Sequence, residues 1–177
     1  MATTSRCIQH IYYDRGKAER LLAVAPIDPD LPAVPSVANL RPVTRIMSRG
    51  VSCGRPELEA RAVADLMTRN RIGCLPIVND LGGPIGMITK HDLVEQLLGS
   101  QRPTDEPVPR TARELMMPLA LTLGEHATIA HAAAMMAIED IHHIVIVDEA
   151  GVLIGVVSSI DVVRWLAAND GFTAAGR

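Results

Sequence analysis

The sequence predicts an α/β protein of the α+β kind, made of two βαββα units related by a pseudo-twofold axis. One observation behind this fold class is an internal duplication, since residues 41–97 align without a gap on residues 110–166. Thirteen of the 57 aligned positions are identical, and many others exchange one aliphatic residue for another. The other observation is the order of patterns within each copy: helical spacing, two short apolar runs, then helical spacing again. We therefore expect mixed sheets with helices packed against them.

Each copy is predicted to open with a short strand, at 51–53 and at 119–121, and to continue with a helix. Apolar residues recur in this helix at the three-to-four spacing of a buried helical face. They are Leu58, Ala62, Leu66 and Met67 in the first copy, and Ile129, Ala132, Ala133 and Met136 in the second.

The two apolar runs of each copy predict a β-hairpin. Their short length and β-branched content favour strands at 75–78 and 85–88, and at 144–147 and 154–157. Glycine-containing turn sequences separate the two runs of each copy. A closing helix follows, with apolar residues Leu93, Val94, Leu97 and Leu98 in the first copy and Val162, Val163 and Leu166 in the second.

The duplication also sets the predicted domain organisation. The first copy spans 41–98 and the second 110–168, and a polar, proline-rich linker at 99–109 joins them. An N-terminal extension at 1–40 and a C-terminal tail at 169–177 lie outside the repeat.

Composition argues against several classes of partner. The net charge of −3 gives no long-range attraction for nucleic acid or anionic membranes, and an aromatic content of 2% offers few rings for base stacking. No apolar run is long enough to span a bilayer, and no leader pattern is present at the N-terminus. Three cysteines without framework spacing indicate reduced thiols. We therefore predict a cytoplasmic protein, with nucleic acid an unlikely partner.

A G-x-x-[ST]-x-x-D motif ends both hairpins. Its members are Gly86, Thr89 and Asp92 in the first copy, and Gly155, Ser158 and Asp161 in the second. One interpretation is structural, because a hydroxyl residue followed three positions later by an acid caps a helix start. The other is functional, because a helix start offers N–H groups to a ligand oxygen and a carboxylate can accept hydrogen bonds from two ribose hydroxyls. The two interpretations are compatible.

These features together resemble a tandem pair of CBS domains, also called a Bateman module, over residues 41 to about 167. The resemblance rests on an apolar-Met opening (Ile46-Met47, Leu115-Met116), a strand ending in Ile-Val-Asn or Ile-Val-Asp, and the tail motif, all recurring at one offset. In such pairs the aspartate binds ribose and the Ser or Thr lies beside it. The resemblance therefore implies two binding sites for an adenosine-containing nucleotide such as AMP, ADP or ATP.

His142 and His143 precede the first hairpin strand of the second copy. Adjacent strand residues point to opposite faces, so the two imidazoles are not expected to share a metal ion. A plain strand entry is one interpretation of this pair. The other follows from similarity to the γ subunit of AMP-activated protein kinase, where a basic pair at this place faces nucleotide phosphates. A histidine in that role would make the contact pH-dependent. The first copy has Gly73 and Cys74 here, so we do not expect two equal sites.

Nothing in the sequence indicates catalysis or a metal site. Cys7 and His10 could form half of a zinc site, but no second half follows at usable spacing. Cys74, at the mouth of a predicted buried strand, is interpreted as an inert core thiol. No Walker loop, nucleophile elbow or dinucleotide fingerprint is present.

The function predicted from the sequence is that of a regulatory sensor, not an enzyme. It would bind an adenosyl nucleotide in the cleft between the copies and act through an unknown regulated protein. The alternative is a structural dimerisation module whose ligand sites are non-functional. A homodimer is expected in either case, because the apolar helix residues are more than one small repeat can cover.

Overall fold

The computed structural model of the protein describes residues 37–99 and 110–169. Most of the predicted N-terminal extension, the linker from residue 100 and the tail from residue 170 lie outside these residues. The described helices are α1 (Ala60–Arg69), α2 (Lys90–Gly99), α3 (Ala112–Leu115), α4 (Ile129–Glu139) and α5 (Ser159–Asn169). The described strands are β1 (Cys74–Val78), β2 (Pro84–Thr89), β3 (Thr122–Gly124), β4 (His143–Val147) and β5 (Leu153–Ser158). Two 3-10 turns, Val37–Leu40 and Val43–Arg45, precede them.

The two predicted hairpins are confirmed, and they share one register. Strands β1 and β2 pair antiparallel with Cys74 opposite Thr89, and strands β4 and β5 pair antiparallel with His143 opposite Ser158. Each hairpin turns through a glycine in the left-handed region, Gly82 (φ 82°) or Gly151 (φ 78°), where a side chain would be strained. The offset of 69 positions found in the sequence is therefore also an equivalence of backbone pairing.

The predicted opening strands were displaced. In the second copy the strand is Thr122–Gly124 rather than 119–121, and it runs parallel to β4. In the first copy only an isolated parallel bridge, between Gly54 and Ile77, stands at the equivalent place. Pro56 follows this bridge closely and has no N–H for a ladder, which explains why no strand forms there.

Each first helix packs one apolar face onto its hairpin. Val63 and Met67 of α1 are buried against the strand residues Leu75, Ile77 and Ile88. In the second repeat, α4 buries its own apolar face against β4 and β5. Full burial of one such aliphatic side chain contributes about 1.5–3 kcal/mol to stability. Between the two hairpins lies a third cluster: Cys74, Met87, Val145 and Val156.

The opening segment of each copy packs on the other copy. The Val43 N–H donates to the Ala127 carbonyl at 2.7 Å, and the Ile129 N–H donates to the Arg41 carbonyl at 2.9 Å. The equivalent bonds of the other opening run from the Ala112 N–H to Leu58 (2.7 Å) and from the Ala60 N–H to Arg110 (2.9 Å). The domain bounds 41–98 and 110–168 therefore stay a prediction from the sequence. In the structure the openings are exchanged, which means that the opening segment of each copy packs on the other copy.

Candidate functional site

The first tail motif forms the predicted cap of helix α2. The Asp92 carboxylate accepts at Oδ2 from the Thr89 backbone N–H (2.6 Å) and from the Thr89 hydroxyl (2.8 Å). The Asp92 N–H donates in return to Thr89 Oγ1 at 3.4 Å. Both side chains are half-buried. In the part of the chain that the structure describes, Oδ1 of Asp92 has no hydrogen-bond partner, so this oxygen remains available to a donor on a ligand.

The second tail motif repeats this geometry with one addition. Oδ2 of Asp161 accepts from the Ser158 N–H at 2.9 Å and from the Ser158 hydroxyl. Oδ1 of Asp161 lies 3.7 Å from Nη1 of Arg164, one helical turn further along α5. The Asp161 side chain is 19% exposed. Among residues 37–99 and 110–169, the second carboxylate therefore faces a cation that the first one lacks, and the two sites differ in charge.

The motif glycines lie beneath the exchanged openings. A Cβ on Gly86 would stand 2.5 Å from Met116 Sδ and 2.7 Å from the Met117 carbonyl oxygen. A Cβ on Gly155 would stand 2.6 Å from Met47 Sδ. Close approach of the other copy therefore requires glycine at both places. A direct ligand contact of Gly86 and Gly155 stays a prediction.

His143 lies where the two repeats touch. Its Nε2 would be 3.1 Å from a Cβ at Gly73, so the imidazole packs against the backbone of the first repeat. Burial lowers the pKa of His143 below its usual 6.5, the charge of His142 lowers it further, and the Asp161 carboxylate opposes both effects. The neutral form therefore predominates at pH 7.

His142 points elsewhere, as expected for its neighbour on a strand. It is exposed, and its Nδ1 lies 3.5 Å from the Ser159 hydroxyl at the start of α5. The Ser159 N–H donates to the His142 carbonyl at 2.9 Å, and the equivalent bond runs from the Lys90 N–H to Gly73 at 3.1 Å. Each helix start is thereby tied to the residue before the first strand of its own hairpin.

We call the region formed by Gly73, His142, His143 and the helix starts Lys90 and Ser159 the seam. Ser158, Asp161, His142 and His143 come together at it. Thr89 and Asp92 adjoin the seam through Lys90. The Lys90 N–H donates to the Gly73 carbonyl, and Gly73 is the residue that packs against the His143 ring. The sequence did not predict that Gly73 is a contact of this site. The one sign of it in the sequence is that the first copy has glycine where the second copy has His142.

Cys74 occupies the place of His143 in the first copy. It is buried, and burial raises the pKa of its thiol to about 11. A thiol with this pKa is almost entirely protonated at neutral pH and is a poor nucleophile. The core position predicted for the Cys74 side chain is confirmed.

Within residues 37–99 and 110–169, no group of three or more His, Cys, Asp or Glu side chains is placed to hold a metal ion. In the same residues, no helix combines the length and the apolar character that a membrane span requires.

Comparison with known proteins supports the resemblance. The sequence pattern of the CBS domain matches the chain twice, at residues 43–99 and 112–168. An uncharacterized protein of Methanopyrus kandleri is 33% identical over 122 residues, which are 69% of this chain and 61% of the relative. The 5′-AMP-activated protein kinase subunit gamma-3 of Homo sapiens is 29% identical over 110 residues, 59% of this chain and 22% of that subunit. The chain thus spans less than two thirds of the length of these relatives.

Solved structures show the same architecture. CBSX2 in complex with AMP has a TM-score of 0.66 at 20% identity, over 73% of this chain and 98% of that one. The CBS domain pair of protein MJ0100, in complex with 5′-methylthioadenosine and S-adenosyl-L-methionine, has a TM-score of 0.63 at 25% identity, over 71% of this chain and 98% of that one. With two matched copies of the domain and this fold, the chain belongs to the family of CBS-domain proteins.

Proposed function

We propose that the CBS pair is a regulatory module that binds an adenosine-containing nucleotide at the seam. The observation that carries this proposal is the duplicated cluster at the two helix starts, Thr89 with Asp92 and Ser158 with Asp161. Each cluster holds a half-buried carboxylate beside a hydroxyl and a helix N-terminus. The carboxylate would accept from the two ribose hydroxyls, and apolar strand residues would surround the adenine.

Relatives support this choice of ligand class. The human relative is by name a subunit of a kinase activated by AMP, and the MJ0100 pair was solved with two adenosyl compounds. Ribose and adenine are common to all these ligands, while their 5′ substituents differ in charge. We therefore infer an adenosyl ligand, with AMP, ADP and ATP as the first candidates.

We infer that the module signals without catalysing a reaction. A ligand that prefers one arrangement of the two repeats shifts the population toward it. Because the openings are exchanged, a change at either helix start can reach the other repeat through the backbone. The output would pass to a regulated protein in the cytoplasm. Steady turnover of ATP by the purified protein would overturn this inference.

The direct test is to identify what the purified protein carries. Protein isolated under native conditions is denatured, and mass spectrometry is applied to the small molecules released. We expect an adenosyl compound from the wild-type protein and markedly less from the Asp92→Ala/Asp161→Ala double variant. Addition of AMP, ADP, ATP and S-adenosyl-L-methionine to stripped protein covers ligands lost during purification. Binding of none of them would contradict the proposal.

A second candidate function, a dimerisation scaffold, is favoured by one face of helix α5. Ile160, Val163 and Leu166 follow each other at three-residue spacing and are 49%, 55% and 46% exposed. Such spacing places side chains on neighbouring turns of one side of the helix. Since apolar side chains grouped on a surface mark interaction sites, we propose that this face pairs with a second copy of the chain.

The homodimer gives a prediction that does not depend on ligand. We expect the wild-type protein to scatter light as a dimer at micromolar concentration, with or without nucleotide. Val163→Glu should shift it to the monomer, because the introduced charges would be buried in the contact. Ala168→Glu adds the same charge at an exposed position on another side of α5 and should leave the dimer intact. A monomeric wild type would contradict the assembly.

A further inference from the structure

Helices α1 and α4 occupy equivalent places in the two repeats but have different outer faces. The outer face of α1 is polar, and its Asp65 and Arg69 side chains form an ion pair at 3.9 Å. At the equivalent positions, 69 residues further on, α4 has Ala134 and Ile138. Along its 11 residues α4 has one acid, Glu139, one histidine, and no Lys or Arg. Charged side chains therefore cover α1, whereas α4 is apolar on the side that faces solvent as well as on its buried side.

The apolar surface of α4 continues onto the turn Val37–Leu40. This turn packs on α4, and its Ala38 is buried in the cluster that α4 forms with the second hairpin. We define the α4 face as the exposed apolar residues of the helix and the turn: Val37, Leu40, Ala134, Ala137 and Ile138. Leu40 is 75% exposed and Ile138 is 54% exposed. Large apolar side chains grouped in this way mark an interaction site.

The chain itself supplies an occupant for the α4 face. Residues 1–36 lead directly into the turn Val37–Leu40, which is part of that face. The sequence of this segment contains large apolar residues between charged ones: Ile8, Ile11, Tyr12, Leu21 and Leu22. A segment tethered beside a surface acts on it at a millimolar effective concentration, whereas a second copy of the chain in solution acts at its micromolar concentration. Tethering therefore favours the N-terminal segment over a second copy.

The length of the intervening chain allows this contact. Residues 25–36 separate the apolar part of the segment, residues 8–24, from the turn at Val37, and every third residue from Pro26 to Pro35 is a proline. A proline-rich stretch of this length spans up to about 37 Å. Helix α4 has 11 residues and is therefore about 16 Å long. Residues 8–24 can thus reach every part of the α4 face.

We propose that the α4 face is an intramolecular docking surface for residues 8–24, so that the N-terminal extension belongs to the second repeat. The apolar side chains of the segment cover Ile138 and Leu40 and remove them from water. The first repeat offers no such surface, because the ion pair of Asp65 and Arg69 occupies the equivalent place. This inference is independent of nucleotide binding, and it leaves the exposed face of α5 free for a second copy of the chain.

Fluorescence of the wild-type protein reports this contact without any substitution in the α4 face. Both tyrosines of the chain, Tyr12 and Tyr13, lie in the segment, and its one tryptophan, Trp165, packs against the cluster that α4 forms. We expect tyrosine absorption to appear in the excitation spectrum of Trp165 emission and to disappear in Tyr12→Leu/Tyr13→Leu. An undocked segment would hold the tyrosines on average about 25–30 Å from Val37, too far for efficient energy transfer. Absence of a tyrosine contribution in the wild type would overturn the proposal.

An exchange of residues between the two helices tests whether the α4 face is covered. Ala134→Asp/Ile138→Arg gives α4 the ion pair that α1 carries. On an open surface the change would be nearly neutral, but under a docked segment it places charges against apolar side chains. We therefore expect the melting temperature of the full chain to fall by about 4–8 °C. The matched control Asp65→Arg/Arg69→Asp puts the same two residue types on α1 and should change it by less than about 2 °C.

A second set of substitutions identifies the occupant. Ile11→Ser/Tyr12→Ser/Leu22→Ser removes apolar side chains from the segment in the full chain. In this background we expect Ala134→Asp/Ile138→Arg to cause little further loss, because both sets of changes break one contact. The proposal is wrong if the α4 variant melts like the wild type, or if it loses as much in both backgrounds. It is also wrong if light scattering shows that the α4 variant turns a dimer into a monomer, since the occupant is then a second copy.

Discussion

Gly86→Ala is expected to destabilise the protein by about 3 kcal/mol, since the added methyl group has no space. Its Cβ would lie 2.5 Å from Met116 Sδ, which can move, and 2.7 Å from the Met117 carbonyl oxygen, which is fixed in the backbone. That carbonyl accepts from the Met87 N–H at 3.1 Å, and the Met117 N–H donates back to Met87 at 3.0 Å. The exchanged opening of the second copy must therefore shift away from strand β2. In a chain of this size, the loss corresponds to a fall in melting temperature of roughly 6–12 °C.

Two other glycines serve as matched controls for Gly86. Gly124 has no atom within 4 Å of a built Cβ, so Gly124→Ala should change the free energy of unfolding by no more than about 0.5 kcal/mol. Gly151 is equally open but has a φ of 78°, so Gly151→Ala isolates the cost of backbone strain, about 1–2 kcal/mol. If thermal unfolding shows that Gly86→Ala destabilises the protein no more than Gly124→Ala does, the exchange of the openings is contradicted.

Asp161→Ala is expected to weaken nucleotide binding at the second site about ten- to a hundredfold. Hydrogen bonds to a charged group are worth roughly 1.5–3 kcal/mol, and this carboxylate is the proposed acceptor for both ribose hydroxyls. We expect a smaller loss for Asp92→Ala, since His142 and His143 adjoin the second carboxylate and add ligand contacts there.

The cap that Asp161 forms must be separated from its role in binding. Asp161→Ala removes the acceptor for the Ser158 N–H, which is 2.9 Å away, and this costs about 1 kcal/mol of stability. Asp161→Asn keeps a neutral acceptor at that place but loses the charge. We therefore expect Asp161→Asn to melt close to wild type and yet to lose most of the affinity. If it binds as tightly as wild type, the carboxylate charge is not used for the ligand.

The hairpins and the helix caps were predictable because each depends on residues that are close together in the sequence. β-branched runs separated by glycine turns fix the two hairpins, and the tail motif fixes the caps of α2 and α5 through contacts three residues apart. The opening strands were displaced because apolar content alone does not determine where pairing begins, and Gly54 and Pro56 limit it in the first copy.

The exchange of the openings could not be predicted from the repeat. A duplicated sequence looks the same whether an opening packs on its own hairpin or on that of the other copy. Met47 and Met116 were therefore seen as family features, and their contacts with Gly155 and Gly86 came only from the structure. The contact of His143 with Gly73 has the same origin, because it joins residues of different repeats.

The candidate site was predicted only in part, because some of its contacts lie within one helix start and others join the two repeats. Thr89 with Asp92 and Ser158 with Asp161 were identified correctly as pairs, since each pair belongs to one helix start. The cation beside Asp161 was not identified, because Arg164 has no counterpart in the first repeat, where Glu95 stands at that position. Pairwise differences between the copies, such as this one and Cys74 against His143, are where the two sites acquire different chemistry.

A single calorimetric comparison shows whether the two carboxylates hold an adenosyl nucleotide. AMP and ATP are titrated into the wild-type protein and into the Asp92→Ala/Asp161→Ala double variant, each with a melting curve recorded beside its isotherm. We predict saturable binding to the wild type, and at least tenfold weaker or no binding to a double variant that remains folded. A wild type that binds neither nucleotide, or a folded double variant that binds as tightly as the wild type, would contradict the nucleotide-sensor account and leave the dimerisation scaffold in its place.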